Sequence, residues 1–556
     1  MIFNTFVYLL AAGLFLMFLP KPQHTRWTAF LIFMFLAWLF VTFLEHSLHR
    51  DAQSLVYHWI RYKNFHLTLS LSSNFYNYYF LLPVFMVSLL AAFSNIFYPF
   101  ENQRLSLVAL IILNLAAFIL LIASQNTLQL LISSSAIGII GFYVINDFEA
   151  RQKYMYYNLL ADMGLLTVFA VLYGRLGSIE LSELKRFGAD GVYLNFIPLL
   201  LLFSVFVKSG LFMFQDLFSN WRQLNFNRMM LASFCLSPIS SIAILSKTNV
   251  ILQFSPYSRS LMALFAVATL IWGFFGALSK DNIRAKAMYL NMMMYGFFFG
   301  LLSSTVGQVD DNYPFLLLAL YLVNASLSLV NLAASNETDI SKMGGFIRSL
   351  KITFLLSLLI VFADIQTVLA VARPSVRYWV WMFLGLQLLA LGQIYREIYF
   401  TKIRADERVW ALLRNPNGLV MFVLAAVSGV IIYGTYRGGY LPAAVFAVFI
   451  LAMLVAPFRA VSRLYGNETV QDGDFLNRIY ENLLIAPIKI IGRVLWLTVD
   501  FLLIERTILA SLSHFTGFLV AVSRRIQAYG WISYLLLSAA GLAVMLYWGI
   551  NGGFHG

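Results

Sequence analysis

Phe203-Ser-Val-Phe-Val-Lys208-Ser209-Gly-Leu-Phe-Met-Phe-Gln215-Asp216 places one lysine inside a run of otherwise apolar residues. A lysine at the centre of a membrane helix costs at least ~3 kcal/mol on insertion scales, so such a group usually faces a protein interior or a water path and marks ion transfer. The plainer reading is a lysine that snorkels to a headgroup or makes a structural pair. Between Asn195 and Asp216, Lys208 stands about two turns from the nearer polar end, which makes simple snorkelling awkward.

The surroundings of this stretch extend its pattern over the whole chain. The chain has 556 residues, of which 61% are hydrophobic and 11% charged, and its mean hydropathy is +0.79. These values exclude a soluble globule. Scanning for apolar runs of roughly 18 to 22 residues gives about sixteen spans, beginning near Thr5, Trp27, Tyr79, Leu105, Thr127, Tyr156, Val192, Met229, Ser258, Arg284, Tyr313, Ile347, Arg377, Asn417, Leu441 and Trp531. Membrane β-strands alternate at period two, whereas these runs are apolar throughout. The expected fold is therefore an all-α polytopic membrane protein with about sixteen transmembrane helices.

With sixteen spans, the odd-numbered loops carry about 20 Lys and Arg and the even-numbered ones about 11, which puts the odd loops on the cytoplasmic or matrix side. The formal charge of +13 follows from this topology and requires no nucleic acid. No basic region precedes the first span and no small-residue cleavage site follows it, so it reads as a first membrane helix rather than a removed signal. Cys235 is alone in an apolar run and offers neither a disulfide nor a metal-binding set. His46, His49, His58 and His66 are spaced by 3, 9 and 8 residues, with no carboxylate or cysteine cluster among them. That is a poor ligand set. The segment Glu45 to Tyr78 reads instead as interfacial, with an aromatic belt. No metal and no cofactor are expected.

A second intramembrane charge lies upstream. In Tyr156-Tyr-Asn158-Leu-Leu-Ala-Asp162-Met-Gly164-Leu-Leu, Asp162 is one turn from Asn158 on one helical face. An acid of this kind near Lys208 lowers the cost of both charges.

These residues resemble a known family. Asn158-Leu-Leu-Ala-Asp162-Met-Gly164 is similar to the N-R-V-G-D-x-G stretch of the antiporter-like membrane subunits of respiratory complex I. Lys208-Ser209 with Gln215 is similar to that family's G-K-S-A-Q-L-P-L-Q, and Asp281-Asn-Ile283-Arg284-Ala-Lys286-Ala-Met-Tyr289 with Gly296 to its D-I-K-R-V-L-A-Y-S-T-x-S-Q-x-G. Asp339-Ile-Ser-Lys342-Met-Gly-Gly345 is close to its D-M-R-K-M-G-G. The matches run over residues 60 to 370.

The carboxyl end narrows the resemblance to the NuoL type. From Phe475 to Ile526, Arg478, Glu481, Lys489, Arg493, Asp500, Glu505, Arg506 and Arg524 recur among apolar groups at helical spacing. That pattern reads as a long amphipathic helix on the membrane surface, before a last span. At ~1.5 Å per residue its ~50 residues cover ~75 Å if continuous. It resembles the lateral helix of the NuoL-type subunit. The expected organisation is 1–100, amino-terminal helices with the interfacial segment; 101–372, antiporter-like core; 373–470, carboxyl-terminal helices; 471–528, lateral helix; 529–556, terminal span.

The chain also departs from that family. The glutamate that partners the family's lysine falls on Leu130, beside Gln129. The histidine and proline-rich break after the lysine helix fall near Phe234 and on Asn220 to Arg228, and the next histidine and lysine fall on Leu322 and Ser326. Leucine and serine carry no titratable proton, so a complete relay of the family type does not run through them. The proton-transfer candidates are Lys208, Asp162, Asp364, Lys286 and Arg284. Arg284, at a helix start, faces an unfavourable dipole and suits a carboxylate or headgroup better than titration. Asp364 reads equally as a neutral buried acid, a counter-ion or a relay member.

The resemblance implies a membrane-arm subunit of an NADH:quinone oxidoreductase, taking part in coupled proton translocation with a partly lost relay. Its partners would be other membrane subunits, met through residues 475–526, and the lipid bilayer. The redox chemistry would lie elsewhere, since the sequence offers no dinucleotide fingerprint and no iron-sulfur cysteines. A bacterial inner (cell) membrane is the expected location rather than the mitochondrial one. Two alternatives stay open: a NuoL-like subunit of another ion-coupled assembly, an inorganic carbon uptake complex or a Mrp-type cation antiporter, and a structural paralogue that no longer pumps.

Overall fold

The structure is a computed structural model. It describes residues 2–18, 25–48, 53–62, 65–73, 75–97, 104–145, 147–186, 193–218, 228, 237–304, 313–334, 337–401, 418–435 and 441–455, with 489–490, 492–493, 513–518, 520–521, 524 and 540–541. The chain divides into two compact units, Met1–Gly473 and Asp474–Gly556.

Fifteen α-helices occupy the described part of the first unit, in the places of the first fifteen apolar runs. They are α1 Ile2–Phe18, α2 Thr25–Leu48, α3 Phe75–Phe97, α4 Arg104–Ala123, α5 Thr127–Val144, α6 Phe148–Leu176, α7 Tyr193–Ser209, α8 Ser237–Leu252, α9 Pro256–Ser279, α10 Ile283–Ser304, α11 Tyr313–Ala333, α12 Lys351–Ala370, α13 Arg377–Tyr395, α14 Gly418–Thr435 and α15 Leu441–Val455. Among the described residues, five spans are long and apolar enough to cross a membrane, and shorter apolar helices accompany them. This is an all-α multi-pass membrane protein. The sixteenth span lies mostly outside the described residues, as does the lateral segment. Within that segment, residues 513–518 are helical.

One local element differs from the sequence reading. Gln53–Tyr62 (β1) and Phe65–Ser73 (β2) form an antiparallel pair inside the segment expected to be interfacial. The alternation Leu67-Thr-Leu69-Ser-Leu71-Ser72 is the period-two signal of a strand. The pairing slips at His58/Ile60, a bulge that lets two residues of β1 oppose one of β2.

Helices adjacent in sequence pack together: α3 on α4, α4 on α5, α5 on α6, α6 on α7, α7 on α8, α9 on α10, α11 on α12. α3 also meets α11, and α12 meets α14. Their shared interior is apolar, with Phe118, Leu130, Phe206, Phe299 and Leu322 buried. On α6, by contrast, Tyr156, Leu159, Leu160, Met163 and Leu166 are exposed. Apolar side chains facing outward along a helix of this length are what a lipid-facing edge requires.

Local chemistry sets the helix ends that matter below. Asn126 accepts from Gln129 N at 2.6 Å and starts α5, and Asp147 accepts from Ala150 N to start α6. Both are side-chain N-caps. Gly177, at φ 66°, ends α6 in the left-handed conformation that glycine adopts without penalty.

Candidate functional site

The apolar run around Lys208 is not one uninterrupted helix. α7 stops at Ser209, so Lys208 lies in its last turn rather than mid-helix as the sequence run implied. Gly210, at φ 62°, supplies the left-handed residue. Leu211 N bonds Phe206 O and Gly210 N bonds Val207 O, both at 3.3 Å, which is the Schellman pattern of helix termination. A cation in the last turn faces the negative end of the helix dipole, which favours it.

Lys208 Nζ lies 2.6 Å from Asp162 Oδ1 on α6 and donates to Ser134 O on α5 at 3.3 Å. The other carboxylate oxygen, Asp162 Oδ2, accepts from Ser135 Oγ at 2.8 Å. Three neighbouring helices thus converge on one ion pair. Gly164 permits the approach, because a Cβ there would run into Ser204 Oγ of α7. Leu130 is buried nearby on α5 and takes no polar part. Ser134 Oγ and Gln129 Nε2 are buried without a hydrogen-bond partner among the described residues. Unpaired buried polar atoms are costly and mark places that suit water.

A second buried lysine escaped the sequence reading. Lys247 of α8 donates to Ser124 O at 2.7 Å, capping the end of α4. The same corner holds β2: Gln125 N bonds Ser70 O at 3.3 Å, and Ser70 N bonds Gln129 Oε1 at 3.2 Å. Its signal was the one that singled out Lys208, a charge inside an apolar run, here Pro238 to Leu252. At the other end of α5, Arg228 Nη1 donates to Val144 O at 2.9 Å. Two cations therefore satisfy carbonyls at the ends of α4 and α5.

The remaining candidates lie in the second half of the bundle, and no described hydrogen bond or ion pair joins them to Lys208. Lys286 Nζ, in the first turns of α10, is 3.2 Å from Glu397 Oε2, a residue absent from the sequence candidates. Glu397 sits in a π-helical turn, Arg396–Phe400, that follows α13. Arg284 belongs to the same first turn of α10, whose backbone is capped by Asn282 Oδ1. Asp364 of α12 is fully buried. Gln387 lies alongside it, yet neither carboxylate oxygen has a hydrogen-bond partner of good geometry among the described residues. Leu322 is buried in α11, and Ser326 Oγ shares a hydrogen bond with Tyr395 OH at 2.8 Å.

Comparison with known proteins gives concordant results. Residues 129–384 match the family model described as NADH:quinone oxidoreductase/Mrp antiporter, TM. The chain is 22% identical over 327 residues to NADH-ubiquinone oxidoreductase chain 5 of Balaenoptera physalus, covering 55% of this chain and 52% of that protein. It is 24% identical over 268 residues to the chloroplastic NAD(P)H-quinone oxidoreductase subunit 5 of Illicium oligandrum, covering 43% and 36%. The chain thus spans about half the length of the first of these relatives. Among solved structures, the Mrp complex from Dietzia sp. DQ12-45-1b superposes with a TM-score of 0.66 at 14% identity, over 94% of this chain and 63% of that one. The membrane-bound sulfane sulfur reductase, an archaeal respiratory membrane complex, gives 0.66 at 14% identity over 94% and 99%.

Proposed function

We propose that this chain is a divergent antiporter-like membrane subunit of the complex I or Mrp/MBS kind, a reading supported by the family model and the relatives in sequence and fold, and that it translocates protons as part of the membrane arm of an NADH:quinone oxidoreductase. The observation that carries this reading is the ion pair Lys208–Asp162, set at a helix end inside the apolar bundle. Hydrophobic packing alone has no use for such a pair. Replacing a buried pair by apolar residues is often neutral or stabilising, so a retained one points to work other than stability.

In this reading Lys208 is the central proton carrier and Asp162 its counter-ion. Asp162 occupies the electrostatic role left open by Leu130. When the pair separates, the buried ammonium loses its counter-charge and gives up its proton; when the pair closes, it is recharged. Ser134 and Gln129, with their unpaired polar atoms, are suited to hold the water that links the pair to the corner at Lys247. Asp364, Lys286 and Arg284 would serve the second half. Proposed partners are other membrane subunits, engaged through residues 475–526, in a bacterial inner membrane.

The likeness of fold to the Mrp and sulfane sulfur reductase complexes supports a second reading, in which the same pair serves another ion-coupled assembly. Leu130, Leu322 and Ser326, which hold no titratable proton, favour a structural paralogue. One substitution separates pumping from non-pumping. In vesicles containing the assembled protein, Lys208→Ala should lower proton transfer at least ~10-fold, the least that a positioned proton carrier usually contributes being larger still. Full transfer by a well-assembled Lys208→Ala variant would remove Lys208 from the mechanism.

A further inference from the structure

One edge of the bundle carries cations that its own acids leave unmatched. Lys342 ends the short 3₁₀ turn Ile340–Lys342, Arg348 ends a second, Phe346–Arg348, Lys351 opens α12, and Arg396 opens the π-helical turn after α13. Both 3₁₀ turns pack against the π-helical turn, and the rings of Phe354 and Phe400 meet at 5.5 Å, so the four cations share this edge. Lys342, Arg348 and Lys351 are exposed and Arg396 is half-buried. None of them makes an ion pair among the described residues. Of the acids nearby, Glu397 meets Lys286 and Gln393, Glu337 Oε1 accepts from the backbone N–H groups of Thr338 and Asp339, and Asp339 lies toward Asp281.

Exposed apolar side chains continue the row that the cations begin. Backbone bonds from Ser349 N and Leu350 N to Phe346 O, and from Phe354 N to Leu350 O, carry the turn of Arg348 into α12. Arg348, Lys351, Ile352 and Leu355 are then spaced i, i+3, i+4 and i+7, which places them on one helical face. Ile352 and Leu355 are each 63% exposed, and Phe400 beside them is 40% exposed. α12 is long and apolar enough to cross a membrane, so its first turn stands at the level of the headgroups and its second at the start of the hydrocarbon. Topology alone accounts for basic residues in a loop on the positive side. It does not require them to be unpaired and in line with exposed aliphatic groups. Nor does helix stability place Lys351 at the first residue of α12, where the dipole disfavours a cation.

We propose that this edge is a binding site for an anionic phospholipid, with its phosphate on Arg348 and Lys351 and its acyl chains along Ile352, Leu355 and Phe400. The phosphate oxygens accept from the guanidinium fork and from the ammonium group, and Lys342 and Arg396 add positive potential around them. A ligand that is anionic at one end and hydrocarbon at the other matches the order of the row, because attraction to the headgroup and burial of apolar surface then act together. A soluble phosphate would use the cations and leave the aliphatic groups uncovered. The site needs only a chain that lies in a membrane and does not depend on proton translocation.

The test uses the full chain, purified in mild detergent and stripped of lipid. The probes are phosphatidylglycerol and phosphatidylcholine with the same acyl chains, and native mass spectrometry reads the bound lipid. The parent should prefer phosphatidylglycerol at least ~10-fold, each engaged cation contributing roughly fivefold. Arg348→Gln with Lys351→Gln should weaken phosphatidylglycerol binding roughly 25-fold and leave phosphatidylcholine binding as it was. Arg348→Lys with Lys351→Arg keeps both charges and should stay within about threefold of the parent. Ile352→Ser with Leu355→Ser should weaken the long-chain lipid and spare its dihexanoyl form. Parental preference in the double glutamine variant would overturn the proposal. So would equal binding of the two lipids by the parent, which is the result expected of a surface made for an acidic protein segment. Displacement of the lipid by equimolar inorganic phosphate would assign the cations to a soluble anion and overturn it as well. If the double glutamine variant fails to fold, Arg348→Gln alone, with an expected loss of roughly fivefold, decides.

Discussion

Lys208 Nζ and Asp162 Oδ1 lie 2.6 Å apart although 46 residues separate them in sequence. The lysine is fully buried and the acid is not, so the two halves of the pair depend on one another unequally. Asp162→Asn strands an ammonium in the bundle, with Ser134 O as its described partner. Lys208→Met leaves a carboxylate that keeps its hydrogen bond from Ser135 and is 16% exposed. Asp162→Asn should therefore destabilise more than Lys208→Met, and the double variant should lie closest to the parent. Single losses of ~1–3 kcal/mol are expected, below the ~3–5 typical of a fully buried broken pair, because either survivor can neutralise. Thermal unfolding of the four proteins, read as a double-mutant cycle, checks the order; additive effects would mean that the contact carries no coupling.

The distance between α6 and α7 is set by the absence of a side chain at Gly164. Gly164→Ala should push α6 outward against Ser204 and cost ~1–3 kcal/mol, the usual range for overpacking. Because the obstructing atom is the hydroxyl Oγ, the added Ser204→Ala should recover most of the loss. No recovery in the double variant would place the conflict elsewhere.

Asp281, in the turn between α9 and α10, gives a pH prediction. Partial loss of water around its carboxyl, reinforced by Glu397 and Asp339 and opposed by Lys286 and Lys280, raises it above the ordinary aspartate range. A folded-state value above the unfolded one means that the folded protein binds this proton more tightly. The contribution to stability is then fully present below the unfolded value and is lost as pH rises through the folded one. Asp281→Asn should therefore be more stable than the parent at neutral pH, and the advantage should shrink as pH falls into the aspartate range. Unfolding temperatures of both proteins from pH 4 to 8 test the difference; an advantage independent of pH would exclude titration of Asp281 as its source.

Much of this was legible in the sequence, for a definite reason. Apolar runs of membrane length leave the backbone only one way to satisfy itself, so the fifteen described helices of the first unit follow from hydropathy. Asp162 and Lys208 stood out because charges are expensive there. Lys247 carried the same signal and was overlooked, while Ser209-Gly210 announced the helix end that the apolar run concealed. The strand pair was visible as alternation from Leu67 to Ser72 beneath an aromatic composition that suggested an interface. Glu397 had no local signal. It ends an apolar span, as acids commonly do, and only folding brings it to Lys286, 111 residues away in sequence.

The first compact unit closes at Gly473, next to the start of the segment whose charges recur at helical spacing from Phe475 to Ile526. A surface helix of ~50 residues would run ~75 Å, whereas fifteen helices packed ~10 Å apart make a bundle only some 40 to 50 Å across. On the proposal that residues 475–526 engage other subunits, a helix of that length reaches beyond one bundle, and its apolar face is shared between lipid and those subunits. A chain ending at Asp472 should therefore keep the thermal stability of the first unit, within about 1 kcal/mol, yet lose its partners on purification from membranes. Partners retained at normal yield would show that the segment does not brace the assembly, and a collapse of the shortened chain would show that the first unit depends on it.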